Sequence, residues 1–116
     1  MLKMVQNRNK LIDLFVGNIS NSIIHKILER AVGGEDIADR YRKEKITSFE
    51  IAKRYREKIN PKNKSFSRKN VDYIRNKVVR RVKSELLLRI EKGYKNIDIS
   101  IVEQEINNVL KEMIII

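Results

Sequence analysis

The sequence predicts an all-α fold, a compact bundle of four to five helices with one long basic helix at about residues 67–92. Three observations carry the prediction. One segment of about 27 residues keeps a single helical period throughout. Only four glycines and one proline interrupt the 116 residues, which favours a few helices over many short strands. Recognisable start and stop residues also bracket most of the periodic segments.

The long helix comes first in the argument. Val71, Ile74, Val78, Val82, Leu86 and Ile90 recur at steps of 3, 4, 4, 4 and 4, which places them on one slowly drifting stripe. At ~100° per residue the opposite side carries Lys69, Tyr73, Asn76, Lys77, Arg80, Lys83 and Ser84. Ser67 is the expected N-cap and Gly93 the expected stop. Leu86, Leu87 and Leu88 widen the apolar surface towards the end, which implies burial by flanking segments or a second chain.

Residues 1–34 are apolar and charge-neutral, and read as a packing or dimerisation segment. Positions 12, 16, 19, 23 and 27 continue one stripe through Gly17 and Asn18, so either one kinked helix or two helices fit. Gly33 and Gly34 close the segment in the manner of a glycine C-cap. Residues 36–43 (DIADRYRK) recur at 50–57 (EIAKRYRE), offset by 14 residues. Two copies are too few for a solenoid, and in a chain rich in lysine and arginine we read the echo as coincidence. Thr47-Ser48-Phe49-Glu50 forms a capping box, which predicts a new helix from about 48. That helix stops before Pro61, which disfavours helical geometry in the residue ahead of it. Residues 60–66 form a basic loop. Residues 96–116 hold a last helix on Ile99, Val102, Ile106, Val109, Leu110 and Met113, capped by Asp98 or Ser100. Its isoleucine tail is expected to pack on the N-terminal segment or on a second subunit. All three regions belong to a single helical domain spanning 1–116.

Net charge is +11, and its distribution is uneven: zero over residues 1–39, +14 over 40–95 and −3 over 96–116. A positive middle attracts nucleic acid or an anionic surface. The absence of cysteine excludes disulfides and thiolate metal sites. No apolar run approaches the ~18 residues of a membrane span, and no secretory leader pattern appears, so the chain reads as cytoplasmic. The basic stretch lacks the Trp/Phe/Leu-rich opposite face of an interfacial helix, so no membrane partner is expected. For catalysis there is one histidine, His25, beside an apolar stripe, and no P-loop, dinucleotide fingerprint or zinc-protease motif. We therefore expect no enzyme, no cofactor, no metal and no small-molecule substrate.

The segment TSFEIAKRYREK, its loop and SRKNVDYIRNKVVRR resemble the helix-turn-helix DNA-binding superfamily. Phe49, Ile51 and Ala52 in the first helix, with Val71 and Ile74 in the second, carry the resemblance. The connection from 59 to 66 exceeds the usual ~3–4-residue turn. The resemblance implies a recognition helix that offers Arg68, Lys69, Asn70, Tyr73, Asn76 and Lys77 to base edges. Lys62, Lys64, Arg80, Arg81 and Lys83 would then hold phosphates. A winged variant would use residues 90–99 (IEKGYKNIDI) as its wing. The succession of short, long and final helix is similar to a histone fold as well, which implies dimerisation along the long helix. The expected function is a small nucleic-acid-binding protein, a DNA-binding transcription regulator or chromatin-associated factor, acting as a homodimer with DNA preferred over RNA. The alternatives are an RNA-binding component of a ribonucleoprotein and a non-catalytic interaction subunit.

Overall fold

The computed structural model describes residues 3–61, 64–113 and 115, with side chains from residue 8 onward. Among these, four α-helices follow one another: α1 (Lys3–Ala31), α2 (Glu35–Ile59), α3 (Arg68–Glu91) and α4 (Val102–Glu112). A 3-10 turn at Ile99–Ile101 leads into α4. No described residue lies in a strand, and no helix is long and apolar enough to cross a membrane.

α1 is one helix of 29 residues, which settles the choice between one and two. It runs through Gly17 and Asn18 because Phe15, Val16, Ile19 and Ile23 on either side all bury. The Asn18 side-chain amide donates back to the Leu14 carbonyl at 2.9 Å, so Asn18 satisfies the helix rather than capping a new one. Gly33 and Gly34 end the helix without the left-handed conformation of a glycine cap; Gly34 is extended (φ −99°, ψ 134°) and precedes α2.

α2 departs most from expectation. It is a single helix of 25 residues, so Thr47 and Glu50 sit in its interior and no helix starts at 48. A capping box is only a local option, and packing decides whether it is used. Here Tyr41, Ala52 and Ile59 bury along one continuous stripe against α1. A break at Thr47 would interrupt that stripe and free backbone N–H groups beside the core. α2 ends at the expected place, with Asn60 leaving helical geometry (φ −136°) before Pro61.

α3 matches its predicted ends. The Ser67 hydroxyl accepts from the Asn70 amide at 3.2 Å. At the far end Gly93 adopts φ +104°, and the Gly93 and Tyr94 amides donate to Ile90 and Arg89 carbonyls at 3.0 Å each. That pair of bonds is the Schellman arrangement, and the left-handed residue it requires is where glycine stands. The chain then turns through Tyr94 to Asp98 with no strand, so no wing forms. Asp98 caps the 3-10 turn by accepting from the Ser100 amide at 3.0 Å.

α1 is the centre of the assembly. Arg8 donates to the Ile59 carbonyl at 2.8 Å, and Glu29 accepts from Arg42 and Lys45, so α1 and α2 form an antiparallel hairpin. Tyr73 donates to Asp13 at 3.1 Å, and the Arg81 guanidinium approaches Gly17, so α3 runs parallel to α1. Arg8, Ser22 and Glu29, which face α2, fall on one side of α1 at ~100° per residue. Asp13, Gly17 and Ile24, which face α3, fall on the other. α2 and α3 therefore flank α1, and among described residues their Cα atoms nowhere come within 8 Å. α4 covers one side of this layer. It lies antiparallel to α3 through Arg75–Asn107 (2.8 Å) and Lys83–Glu103 (3.0 Å), and buries Val102, Ile106, Val109 and Leu110.

This arrangement corrects two expected geometries. The resemblance called for a short helix at 48–59 packed across α3, and that stretch is instead the end of a long helix packed on α1. A histone-like succession needs a short helix before the long one, whereas α2 is as long as α3. Ile90, placed on the buried stripe from sequence, is 38% exposed because successive steps of four residues carry it ~100° from the centre of the stripe, while its neighbour Arg89 stays half-buried. Leu87 and Leu88 are exposed too, while Leu86 is fully buried. Of the tail, Ile115 is buried and its amide donates to the Leu110 carbonyl at 2.8 Å; Ile114 and Ile116 lie outside the described residues.

Candidate nucleic-acid interface

The core stripe of α3 (Ile74, Val78, Val82, Leu86) fixes which residues turn outward. Lys69, Asn76, Lys77, Arg80 and Arg81 are all exposed, as are Arg68 and Lys64 beside the N-terminus of α3. Among described residues no acid lies within 4.0 Å of any of these six cations. Lys77 also sets its ammonium over the Tyr73 ring at 5.5 Å. A shallow groove of about 580 Å³ between α1 and α3 is lined by Lys77, Arg80, Arg81, Ser84 and Glu85 above Val16 and Leu88.

The other predicted site residues are less available. Lys62 lies outside the described residues. Asn70 is half-buried within the capping turn. Tyr73 is exposed over its ring, but its hydroxyl donates to Asp13, and that bond raises its pKa above the ordinary tyrosine value. Lys83 is held by Glu103 at 3.0 Å. The structure thus leaves Lys64, Arg68, Lys69, Asn76, Lys77, Arg80 and Arg81 exposed, with Lys69, Asn76, Lys77 and Arg80 on the outward side of α3, and withdraws Tyr73 and Lys83 into internal contacts.

Several cations elsewhere are taken up by internal pairs. Glu105 binds both Lys26 and Arg30 at 2.9 Å. Burial opposes its ionisation, yet the hydrogen bonds from the two cations prevail and hold its carboxyl below the usual range. Glu29 does the same for Arg42 and Lys45. Arg56 is buried and uses its guanidinium as a clamp. It donates to the carbonyls of Met113 (2.8 Å), Asn60 (2.6 Å) and Lys64 (3.0 Å) while stacking on Phe66. It joins the end of α2, the basic loop and the end of α4, a structural role that its basic neighbourhood in the sequence conceals.

His25 is half-buried and stacks on Tyr41 with centroids 5.7 Å apart. Burial lowers its pKa below the ordinary histidine value, Glu44 at 3.8 Å opposes that, and Arg89 adds to the lowering. Among described residues no group of three or more His, Asp or Glu side chains could hold a metal ion.

One cationic surface escaped the sequence reading. Arg40, Lys43, Arg54 and Lys58 share the outward face of α2, and the 14-residue echo is the signal that pointed to it. Comparisons with protein-family models, with curated proteins and with solved structures find no match to this chain.

Proposed function

We propose that this protein is a small nucleic-acid-binding protein, a DNA-binding regulator or chromatin-associated factor, which lays the outer face of α3 along the phosphates of a duplex. The observation that carries this is the exposed set Lys64, Arg68, Lys69, Lys77, Arg80 and Arg81, free of acids within 4.0 Å among described residues in a chain that pairs many of its other cations. Unpaired surface cations keep their full attraction for phosphate and release condensed counterions on binding. With α2 and α3 apart, this mode does not need the tight interhelical turn of a helix-turn-helix unit.

A duplex suits the geometry better than a single strand read by stacking. Tyr41 is buried against His25, and the rings of Tyr55, Tyr73 and Tyr94 lie beneath Lys58, Lys77 and Arg89. Few aromatic faces are left for unpaired bases. The homodimer part of the reading is supported by Leu87 (54% exposed), Leu88 and Ile90, an apolar cluster that a second chain would cover.

The test is duplex affinity as a function of salt. Six engaged phosphates give a slope of log K against log salt near about −5. A flat response, or no binding at low salt, overturns the proposal.

A further inference from the structure

The repeated Ile-Ala-x-Arg-Tyr-Arg of residues 37–42 and 51–56 lies entirely on α2. Fourteen residues make four helical turns less ~40°, so the copies share a face ~21 Å apart. Tyr41 and Ala52 bury against α1, while Arg40 and Arg54 point outward and are exposed. Lys43 and Lys58 fall on the same outward line, which runs ~27 Å from Arg40 to Lys58. Of the acids of α2, Asp39 pairs with Arg42 and Lys43 and Glu50 with Lys53, while Asp36 and Glu44 stand one turn to either side of Arg40 without coming within 4.0 Å of it. Among described residues no acid comes within 4.0 Å of Arg40, Arg54 or Lys58.

From this we infer that α2 carries a second polyanion-binding face, so that one molecule holds two nucleic-acid segments on opposite sides. The inference rests on the DNA-binding reading of α3. α2 and α3 flank α1 with no described Cα pair within 8 Å of each other, and although the Tyr41 side chain of α2 reaches Arg89 at the end of α3, their outer faces diverge across about two interaxial spacings of ~8–10 Å. A duplex stays straight over such a distance, since its persistence length is ~50 nm, so a single duplex cannot touch both faces. Each face is long enough to follow most of a ~34 Å turn of duplex. Two basic faces back to back give a bridge between segments, which suits a factor that gathers nucleic acid more than one that reads a single site.

Bead capture tests this. A biotinylated duplex is immobilised, the protein is loaded and washed, and a labelled second duplex is added. The wild-type protein is expected to load and then to retain the labelled duplex. The variant Arg40→Gln/Arg54→Gln/Lys58→Gln should load within about threefold of wild type through α3, yet lose at least about tenfold of the captured label. Lys77→Gln/Arg80→Gln should likewise lose capture with α2 intact, and circular dichroism of each variant establishes that the helices persist. If wild type loads without capturing, or if the α2 variant captures as well as wild type, the second face is overturned. In the latter case pairing of copies makes the bridge. If wild type fails to load on the first duplex at low salt, the DNA-binding proposal itself fails, a result separate from loading without capture.

Discussion

α2 and α3 contain 25 and 24 residues, lie against the same central helix and are both rich in lysine and arginine. Both divide that charge between structure and surface, but with different partners. In α2 the inward and flanking cations are structural: Arg42 and Lys45 bind Glu29, and Arg56 binds three carbonyls. In α3 it is Arg75, Lys83 and Arg89 that make such contacts, and the outward cations stay open. Net charge counts both kinds equally. Only the position of each residue around its helix, and the presence of an acid across the interface, separates a cation that holds the fold from one that can meet a ligand.

The sharpest division runs through Arg56. Replacing it with leucine removes hydrogen bonds to three carbonyls at the junction of α2, the loop and α4. A buried acceptor left unmade costs heavily, so Arg56→Leu is expected to lower stability by about 2–4 kcal/mol. Arg42→Leu, which loses exposed pairs with Glu29 and Asp39, should cost about 0.5 kcal/mol. Urea unfolding of both variants at unchanged m measures the gap. Equal losses would mean the burial of Arg56 confers no special role.

The open set is probed by affinity rather than stability. Lys77→Gln/Arg80→Gln is expected to weaken duplex binding about tenfold near 0.1 M salt and to reduce the salt slope by about 1.8. Arg42→Gln/Lys45→Gln removes as much charge from cations already occupied by Glu29, and should leave affinity within about threefold. If the two pairs weaken binding alike, only total charge matters and the interface is not on α3.

Much of this architecture was legible in the chain because its signals are local. Ser67, Pro61 and Gly93 act on backbone within a few residues of themselves, and each ends or starts its element as read, while Asp98 caps the 3-10 turn ahead of α4 rather than α4 itself. The apolar spacing of α4 likewise needs only its own eleven residues and their immediate neighbours. What was not legible depends on distant partners. Tyr73 finds Asp13 sixty positions away and Lys83 finds Glu103 twenty away, so two residues on the expected binding face turn into internal contacts. Ile90 was legible and misplaced: each step of four residues drifts ~40°, and by residue 90 the drift has carried the side chain off the buried stripe. The outward face of α2 was hidden for a related reason: dividing the segment at Thr47 put Arg40 and Arg54 on separate elements, and only a continuous helix aligns them.

Thr47 therefore supports the smallest measurement and a consequential one. As the N-cap of a helix from 48, Thr47→Ala would cost about 1 kcal/mol, because the first turn would lose its side-chain acceptor. In the interior of α2, exposed and away from the core, the same change exchanges a β-branched residue for the best helix former and should stabilise by roughly 0.5 kcal/mol. The two expectations differ in sign, so urea midpoints resolve them although each shift is small. A stabilised variant keeps Arg40 and Lys43 in line with Arg54 and Lys58 and leaves α2 with an outer face of its own to set against that of α3. A destabilised one would place a break in α2 at Thr47, part the two arginine pairs, and reduce the comparison of two basic faces to one.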